Sequence, residues 1–470
     1  LGVDYWTGNA RDFIIASPGY TILSFDYKSA EIQFLAALSQ EDAIIQAFYD
    51  DEDFHKWTAS LVFGKPIEEV TKKERQAAKA QPLTEPVLTP NGWVPMGEIR
   101  PGDFVIGSDG KPTRVVDIEP QGVKKIYRVE TTDGSTRCTD EHLWTVRNAT
   151  SGRGEWKTVE LKDLMKKPLR VKPRKNGNGQ GKWELPPRPV IEFAPQDELP
   201  VDPYALGLLL GDGNLTHDWA PSYSSADREM LEYMRTYHES LGGLVSEKKR
   251  GEEEFWTQYL TCTPYEGGPR NVTRNPLRAK LKELGLDKKK AVDKFVPSMY
   301  LTATPEERLA LLQGLLDTDG SVQNSGATFH STSLALCEAV QELARSLGGK
   351  ASVRVKRESS PDNIGKFASK LKSYDVYLRL PAGVNPFKLS RKADKIKTPT
   401  RFADLRILDV VEGGEEECQC ILVENEDGLY ITKDFLVTHN TVSFGNVYGQ
   451  SVSAMAQQLG ISREEAQQIR

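Results

Sequence analysis

The local sequence patterns of this chain are nested, and the nesting is the strongest constraint on its fold. Residues 1–79 run from a β-rich stretch into helical periodicity, and the helical style resumes after residue 440. Between these ends, residues 80–160 and 400–439 consist of short strands separated by turns, placed on either side of a mixed helical and stranded segment. Segments far apart in sequence must therefore fold together, which predicts folded parts interrupted by insertions.

Composition restricts the class of protein. The chain has 470 residues, of which 27% are charged and 38% hydrophobic, so we expect a multidomain globular protein and exclude a membrane protein or a collagen. Five cysteines without paired spacing argue against a disulfide framework or a structural zinc site, and favour a reducing, cytoplasmic setting. The start at Leu1 suggests a fragment. Residues 165–187 are rich in Lys, Pro and Gly and are predicted to be a linker.

Two copies of one pattern lie in the mixed segment. They read 'ALGLLLGDG' at 205–213 and 'LLQGLLDTDG' at 311–320, and each places an acid before a Gly at the end of an apolar helix. The duplicated pattern resembles the LAGLIDADG signature of homing endonucleases. The resemblance implies two helices packed through Gly207 and Gly314, with Asp212 and Asp319 side by side as ligands of Mg²⁺ for cutting both DNA strands. It also makes Lys294, in 'KFVPSMYLTAT', a candidate to assist catalysis, with a solvated surface lysine as the equal alternative.

A basic segment follows the second copy. Residues 343–400 contain 14 Lys and Arg against 4 Asp and Glu, although the whole chain has a net charge of -6. Strand alternation places Arg354 and Lys356 on one face of one strand, and Tyr377 and Arg379 on one face of another. Basic and aromatic faces of this kind suit contact with double-stranded DNA, through phosphates for affinity and base edges for specificity. A solvated basic face is the plainer alternative.

The outer segments resemble the DNA polymerase I family, also called family A. 'FDYKSAEIQFLAALSQ' resembles its motif A, which implies that Asp26 binds Mg²⁺ and that Glu31 shapes the nucleotide pocket. 'RQAAK' resembles the start of the fingers helix, and its continuation appears only at 'TVSFGNVYG'. Joining Lys79 to Thr441 places four side chains on one helical face to bind a dNTP: Arg75, Lys79, Phe444 and Tyr448.

The 361 residues from Ala80 to Asn440 therefore interrupt a helix, and their ends resemble those of an intein. The close 'FLVTHNT' supplies His439, Asn440 and the hydroxyl of Thr441, while 'TDEHLW' resembles the TxxH block and supplies Thr139 and His142. Asn440 would cyclise through its side-chain amide to release the downstream bond, with His439 assisting. His142 would serve the upstream bond in the same manner.

Ala80 departs from most inteins, which begin with a nucleophilic Cys or Ser. A minority class lacks this nucleophile and has instead the combination found at Trp144, Cys420 and Thr441. In that class Cys420 attacks the Lys79–Ala80 bond, the acyl group passes to Thr441, Asn440 cyclises, and Lys79 is joined to Thr441; splicing needs no cofactor. The alternative is that Ala80 replaces a Cys, so that the precursor cannot splice and only binds and cuts DNA.

The expected architecture follows the nesting. An all-β Hedgehog/intein (HINT) splicing domain is interrupted by an α+β LAGLIDADG endonuclease with two pseudo-symmetric halves, and α/β polymerase palm and fingers fragments flank both. The expected boundaries are 1–79 and 441–470 for the polymerase, 80–185 and 399–440 for the splicing domain, and 186–398 for the endonuclease. The expected partners are double-stranded DNA with a homing site in the uninterrupted polymerase gene, and dNTP with primer-template for the complete spliced host. A monomer is expected, without a membrane partner.

Overall fold

The computed structural model describes residues 80–439, apart from 150–153, 172–178, 197, 218–219, 252–253, 263–274, 358–370, 398–404 and 426. The described residues belong to one compact unit, Ala77–Arg470. The following predicted site residues lie outside them: Asp26, Glu31, Arg75, Lys79, Asn440, Thr441, Phe444 and Tyr448. Among the helices of the described part, none has the length and hydrophobicity that crossing a membrane requires.

The first described segment is almost entirely β-structure. Its strands are β1 Gln81–Pro82, β2 Pro86–Thr89, β3 Gly92–Pro95, β4 Phe104–Ile106, β5 Pro112–Thr131, β6 Ser135–Thr139, β7 Leu143–Asn148, β8 Lys157–Glu160 and β9 Trp183–Glu184, with one short helix, α1 Leu161–Met165. Alternation sends neighbouring side chains into different cores: Val87 packs with Val105 and Tyr430, whereas the next residue, Leu88, packs with Ile106.

The middle segment contains two halves with the same order of elements. The first half comprises α2 Pro203–Asp212, β10 Gly213–Asn214, β11 Ser222–Ser225, α3 Arg228–Ser240, β12 Gly243–Lys249 and β13 Trp256–Cys262, followed by α4 Pro276–Glu283 and α5 Ser298–Leu301. The second half comprises α6 Pro305–Asp319, β14 Gly320–Gln323, β15 Gly326–Ser331, α7 Leu334–Ser346, β16 Lys350–Arg357, β17 Ser373–Arg379 and α8 Ser390–Ala393. The sheets have equivalent orders, β10-β11-β13-β12 and β14-β15-β17-β16, and one apolar core serves both halves.

The last described segment returns to the β-structure of the first. It forms β18 Arg406–Val423, β19 Leu429–Thr432 and β20 Leu436–His439. Strand β18 pairs with β5 along most of its length and also with β1 and β9, while β20 and β19 join β2 and β3 in a second sheet. Strands from both sides of the middle segment therefore share two sheets, as the nested sequence pattern predicts. We call these strands, together with the turns and short segments that connect them, the β part. We call residues 201–396 the α/β part.

The two signature helices begin and meet in ways that their sequences explain. The Asp202 side chain caps α2 by accepting from Ala205 N at 2.8 Å, and Thr304 and Glu307 form a capping box on α6. At the crossing, a Cβ on Gly207 would lie 2.5 Å from Leu311 O, and one on Gly314 would lie 2.9 Å from the Cα of Gly207. The predicted close approach of the backbones is therefore present.

The predicted linker at 165–187 is wrong in its described parts. Trp183–Glu184 forms strand β9, which pairs with β7 and β18, and Arg170 forms an isolated β-bridge with Gly181. Leu169 and Trp183 pack against the core that contains Trp144. The Lys, Pro and Gly content of the segment obscured these two apolar residues, whose burial holds it in the β part.

Candidate functional site

The first candidate site surrounds Ala80. This residue is fully buried, its amide nitrogen lies 3.4 Å from Thr139 Oγ1, and its carbonyl accepts a hydrogen bond from Thr139 N at 3.0 Å. In the pairing of β1 with β18, Gln81 lies opposite Gln419 and Pro82 opposite Cys418. Continuing this antiparallel register by one residue brings Ala80 opposite Cys420, which is buried. The extended register thus aligns Ala80 with the predicted nucleophile, while the apolar cluster that buries Ala80 contains Ile126 and Cys418.

His142 connects this end of the site with the downstream strand. Its backbone N donates to Thr139 O at 3.3 Å, which fixes the turn between β6 and β7, and its side chain is fully buried. The His142 Nε2 atom is hydrogen-bonded to Thr438 Oγ1 on β20. His439 is the next residue, pairs with Leu429 and is also buried. His142 therefore contacts β20 at the residue that precedes His439.

Thr438 was not identified from the sequence. Its signal in the sequence is a hydroxyl residue that directly follows the apolar residues of 'FLVTH'. A fully buried Thr needs a hydrogen-bond partner. Because that partner lies almost 300 residues earlier in the chain, local reasoning could not supply it.

Trp144 is buried in the core of the β part, and its ring lies edge-on to that of His142 with centroids 6.1 Å apart. Cys138 shares this core, and burial raises the pKa of its thiol. Burial also raises the pKa of the Cys418 thiol, to about 11. Both thiols are therefore protonated near neutral pH and are poor nucleophiles.

The second candidate site lies where α2 and α6 end. Asp212 and Asp319 are the last residues of these helices, and burial raises the pKa of both carboxyl groups. For Asp319 the pKa rises to about 7, because burial is reinforced by the nearby charge of Asp212. The two predicted metal ligands are therefore close enough to repel each other when both are ionised.

Two lysines cap the same helix ends. Lys294 Nζ donates to the carbonyls of Leu209, Leu210, Gly211 and Gly213 at 2.7–3.1 Å, so the alternative of a solvated surface lysine is wrong. Lys392 Nζ donates to the equivalent carbonyls of α6: Leu316, Asp317, Thr318 and Gly320. Burial lowers the pKa of both ammonium groups, to about 8 for Lys294, against the opposing effect of nearby carboxylates.

Lys392 was missed from the sequence, because only the block before the second acid motif was considered. It occupies the corresponding place after the last strand of the second half, in 'LSRKADKI'. The repeated order of elements in the two halves is the signal that could have identified it.

A divalent cation suits the chemistry of the Asp212 and Asp319 pair. Burial raises the pKa of both carboxyl groups more than the charges of Lys294 and Lys392 lower it, so the ionised pair would gain from a further positive charge. Among the described residues, no group of three or more His, Cys, Asp and Glu could hold a metal ion. The remaining ligands of a hard cation would therefore be water, backbone or phosphate oxygens.

The two four-stranded sheets of the α/β part contain basic groups that lie against aromatic rings. The Arg354 guanidinium lies 5.3 Å from the Tyr377 ring centroid, with Arg379 two residues further along the same face. Lys356 Nζ lies 3.5 Å from Asp375, which also contacts His330. Lys356 is therefore paired, whereas the sequence predicted a cation available for DNA.

The first half has its own basic and aromatic cluster, which the sequence did not predict. The Trp256 ring centroid lies 4.0 Å from the Arg228 guanidinium, which also pairs with Glu247, and 6.0 Å from Lys249 Nζ. The signal was a Trp next to basic residues in 'SEKKRGEEEFW', but the acidic run concealed it.

Comparison with known proteins gives matches to three kinds of protein. Residues 5–82 match DNA polymerase family A, and residues 306–374 match a LAGLIDADG-like domain. Replicative DNA helicase DnaB of Mycobacterium intracellulare is 27% identical over 414 residues, which are 82% of this chain and 61% of the helicase. DNA polymerase I of Pseudomonas aeruginosa is 40% identical over 70 residues, 15% of this chain and 8% of the polymerase. The chain thus spans less than two thirds of either relative.

Two solved structures are also similar. A structure of mesophilic variants of the homing endonuclease I-DmoI covers 38% of this chain and 89% of its own, with 11% identity and a TM-score of 0.25. The MchDnaB-1 intein covers 14% of this chain and 53% of its own, with 38% identity and a TM-score of 0.14. The resemblances inferred from the sequence to a family A DNA polymerase and to a LAGLIDADG endonuclease are confirmed.

Proposed function

We propose that residues 80–440 excise themselves and join Lys79 to Thr441, without a nucleophile at position 80. The observation that supports this proposal is the register of β1 and β18, which brings Cys420 opposite Ala80 when it is continued by one residue beyond the pair Gln81–Gln419. Cys420 can therefore reach the bond that precedes Ala80 from the neighbouring strand. Burial of Ala80 and the contact of its nitrogen with Thr139 hold the leaving amine in place.

The steps balance without an added reagent. The Cys420 thiolate attacks the Lys79 carbonyl carbon, the bond to Ala80 N breaks, and that nitrogen takes a proton from the His142 imidazole. The Thr441 hydroxyl then attacks the thioester and releases the thiol. Asn440 cyclises to a succinimide and frees the Thr441 amine, which attacks the ester to form the Lys79–Thr441 peptide bond.

The match to the helicase supports an insertion that is independent of its host. An alignment of 414 residues cannot be confined to flanks that total 109 residues, so most of it lies in the 361 residues from Ala80 to Asn440. A helicase and a polymerase have different activities. A segment that is common to both chains is therefore not required for either activity. Ligation would rebuild one helical face with Arg75, Lys79, Phe444 and Tyr448 for binding a dNTP.

Expression of the full chain tests the proposal. Mass spectrometry should find a ligated product of 109 residues and an excised product of 361 residues. Cys420→Ala should abolish the branched intermediate, and Cys418→Ala is the matched control on the same strand. An intact chain under all conditions would refute splicing.

The second candidate is a precursor that cannot splice because Ala80 replaces a Cys. Ala80→Cys distinguishes the two hypotheses. If position 80 has lost its nucleophile, this variant should splice even with Cys420→Ala, whereas the proposed route leaves the double variant inactive.

We further propose that the α/β part cuts both strands of DNA at a site in the uninterrupted polymerase gene. This proposal is supported by the paired ends of α2 and α6, where Asp212 and Asp319 lie together and Lys294 and Lys392 cap the two helices. The chain's carboxylates would hold Mg²⁺, which stabilises the charge that develops during phosphodiester hydrolysis. Arg354, Tyr377, Arg379 and the Trp256 cluster would contact the duplex.

Cleavage of a supercoiled plasmid carrying the joined gene tests the nuclease. The parent chain with Mg²⁺ should give linear DNA, and Asp212→Asn should not. Cleavage by Asp212→Asn at the parental rate would remove this carboxylate from the site. Mg²⁺ binding measured by calorimetry on the same variant gives a readout besides activity.

A further inference from the structure

The turn that leads into β20 has an unusual backbone. Residues Lys433–Phe435 form a short 3-10 turn, and within it Asp434 has φ 59° and Phe435 has φ 57°. Consecutive left-handed residues other than Gly are strained and persist only where their surroundings hold them. Strand β20 starts at the next residue and carries Thr438 and His439, so this turn sets the start of the downstream half of the splicing site.

Two arginines hold this turn. Arg345 Nη1 donates to Asp434 Oδ1 at 2.5 Å, while Arg188 donates to the Asp434 carbonyl through Nε at 3.1 Å and Nη2 at 2.8 Å. Both guanidinium groups also pair with the Asp133 carboxylate, at 2.5 Å from Arg188 and 2.9 Å from Arg345. The side chains of Arg188, Arg345 and Asp133 are at most 7% exposed, so this is a buried network rather than a surface ion pair.

The network joins the two parts of the molecule. Arg345 belongs to α7 of the α/β part, and Arg188 to the segment that enters that part, whereas Asp133 and Asp434 belong to the β part. The β part contributes local support, since Ser135 N donates to Asp434 Oδ2 at 2.9 Å. Without the arginines, however, the Asp434 carbonyl and one carboxylate oxygen would lose their charged partners.

We propose that Arg345, together with Arg188, is a positioning residue for downstream cleavage in splicing. The proposal rests on the proposed splicing function and deepens it. The arginines fix the Asp434 turn, the turn fixes the start of β20, and β20 holds His439 beside the Asn440 that cyclises. The α/β part is thereby a structural component of the splicing site, in addition to its proposed action on DNA.

Kinetics of the two junctions test the proposal in the full chain. Arg345→Leu should slow formation of the branched intermediate by no more than about fivefold, because the upstream junction depends on β20 through the single hydrogen bond between His142 and Thr438. Resolution of that intermediate by Asn440 should slow by about tenfold to a hundredfold, the range that follows from displacing a catalytic group by about 1 Å. Arg345→Lys, which keeps a cation, should recover part of the rate.

Two further variants distinguish positioning of the Asp434 turn from a general stabilisation of the interface between the α/β part and the β part. Gln196→Ala removes another contact of the entering segment with the α/β part, the hydrogen bond from Gln196 Nε2 to Thr302 O at 2.7 Å, and touches no residue of the turn. It should resolve the intermediate faster than Arg345→Leu. Asp434→Asn keeps a residue that tolerates the left-handed conformation but loses the charge pair, and it should behave like Arg345→Leu even if that variant folds poorly. Equal slowing of both junctions, or unchanged resolution in Arg345→Leu and Asp434→Asn, would overturn the proposal.

A measurement independent of splicing distinguishes failure of the positioning proposal from failure of the splicing proposal. If the parent chain processes neither junction, the proposed splicing fails, but the support of β20 can still be measured. In the full chain with Cys420→Ala, hydrogen exchange at residues 436–439 should accelerate on adding Arg345→Leu and not on adding Gln196→Ala. Unchanged exchange with Arg345→Leu would refute the positioning role.

Discussion

At the scale of single residues, Thr438 is the residue of β20 to which His142 is hydrogen-bonded. We predict that Thr438→Val slows formation of the branched intermediate, because His142 loses the partner of its Nε2 atom. One hydrogen bond contributes about 1 kcal/mol, so the expected change is about fivefold. The measurement is the rate of branched intermediate in a chain with Asn440→Ala, which prevents its resolution.

The control for this prediction is Thr438→Ser, which keeps the hydroxyl and loses only a methyl group. It should restore most of the rate. Equal rates for the Val and Ser variants would show that the hydroxyl does not act through His142.

Asp319 gives a prediction about pH and stability. Its pKa is raised from the ordinary 3.8 to about 7 by burial and by the charge of Asp212. The folded chain therefore binds more protons than the unfolded chain between these values, and its metal-free stability falls as pH rises from about 4 to about 7. Each unit of pKa shift corresponds to about 1.4 kcal/mol. Calorimetric Tm values in a chelator should follow this trend.

Asp319→Asn provides the comparison, since it has the same shape and no titrating group. Its Tm should vary less with pH over the same interval, and Mg²⁺ should stabilise it less than the parent at pH 8. A parental pH dependence in this variant would assign the titration to another group.

At the scale of secondary structure, the crossing of α2 and α6 depends on the absence of side chains. We predict that Gly207→Ala destabilises the chain by about 1–3 kcal/mol, the usual cost of overpacking, because its Cβ would lie 2.5 Å from Leu311 O. Urea denaturation measures the effect. Gly154→Ala, whose Cβ would meet only ordinary contacts at 3.8 Å or more, should change stability little.

The same elements show what could be predicted from the sequence. The helices of the duplicated motif have their caps, small crossing residues and terminal acids within one short stretch of sequence each, so their structure follows from local pattern. Lys392, Thr438 and the Asp133 network are different, because each acts through a partner distant in the chain that no local period specifies. The strand at Trp183 was missed for a related reason: two residues pair with β7 and β18, too few to produce an alternating pattern.

At the scale of the whole molecule, charge is unevenly distributed. A net charge of -6 opposes DNA binding on average, yet residues 343–400 contain 14 Lys and Arg against 4 Asp and Glu. Several of these cations already form ion pairs or hydrogen bonds within the fold. Arg345 pairs with Asp133 and Asp434, Lys356 pairs with Asp375, and Lys392 caps α6. The number that can neutralise phosphates is therefore smaller than the composition indicates.

This distinction predicts how DNA affinity depends on salt. The logarithm of the binding constant should fall linearly with the logarithm of salt concentration, and each lost phosphate contact should reduce the slope by about one. Arg354→Ala should cause such a reduction, since its guanidinium lies on the outer face beside Tyr377. Arg345→Leu removes the same formal charge but from a buried network, so it should leave the slope unchanged. Fluorescence anisotropy with a duplex of the joined gene between 50 and 200 mM salt, the range in which phosphate contacts dominate, measures both. Equal slopes for the two variants would mean that net charge, rather than its position in the fold, governs association with DNA.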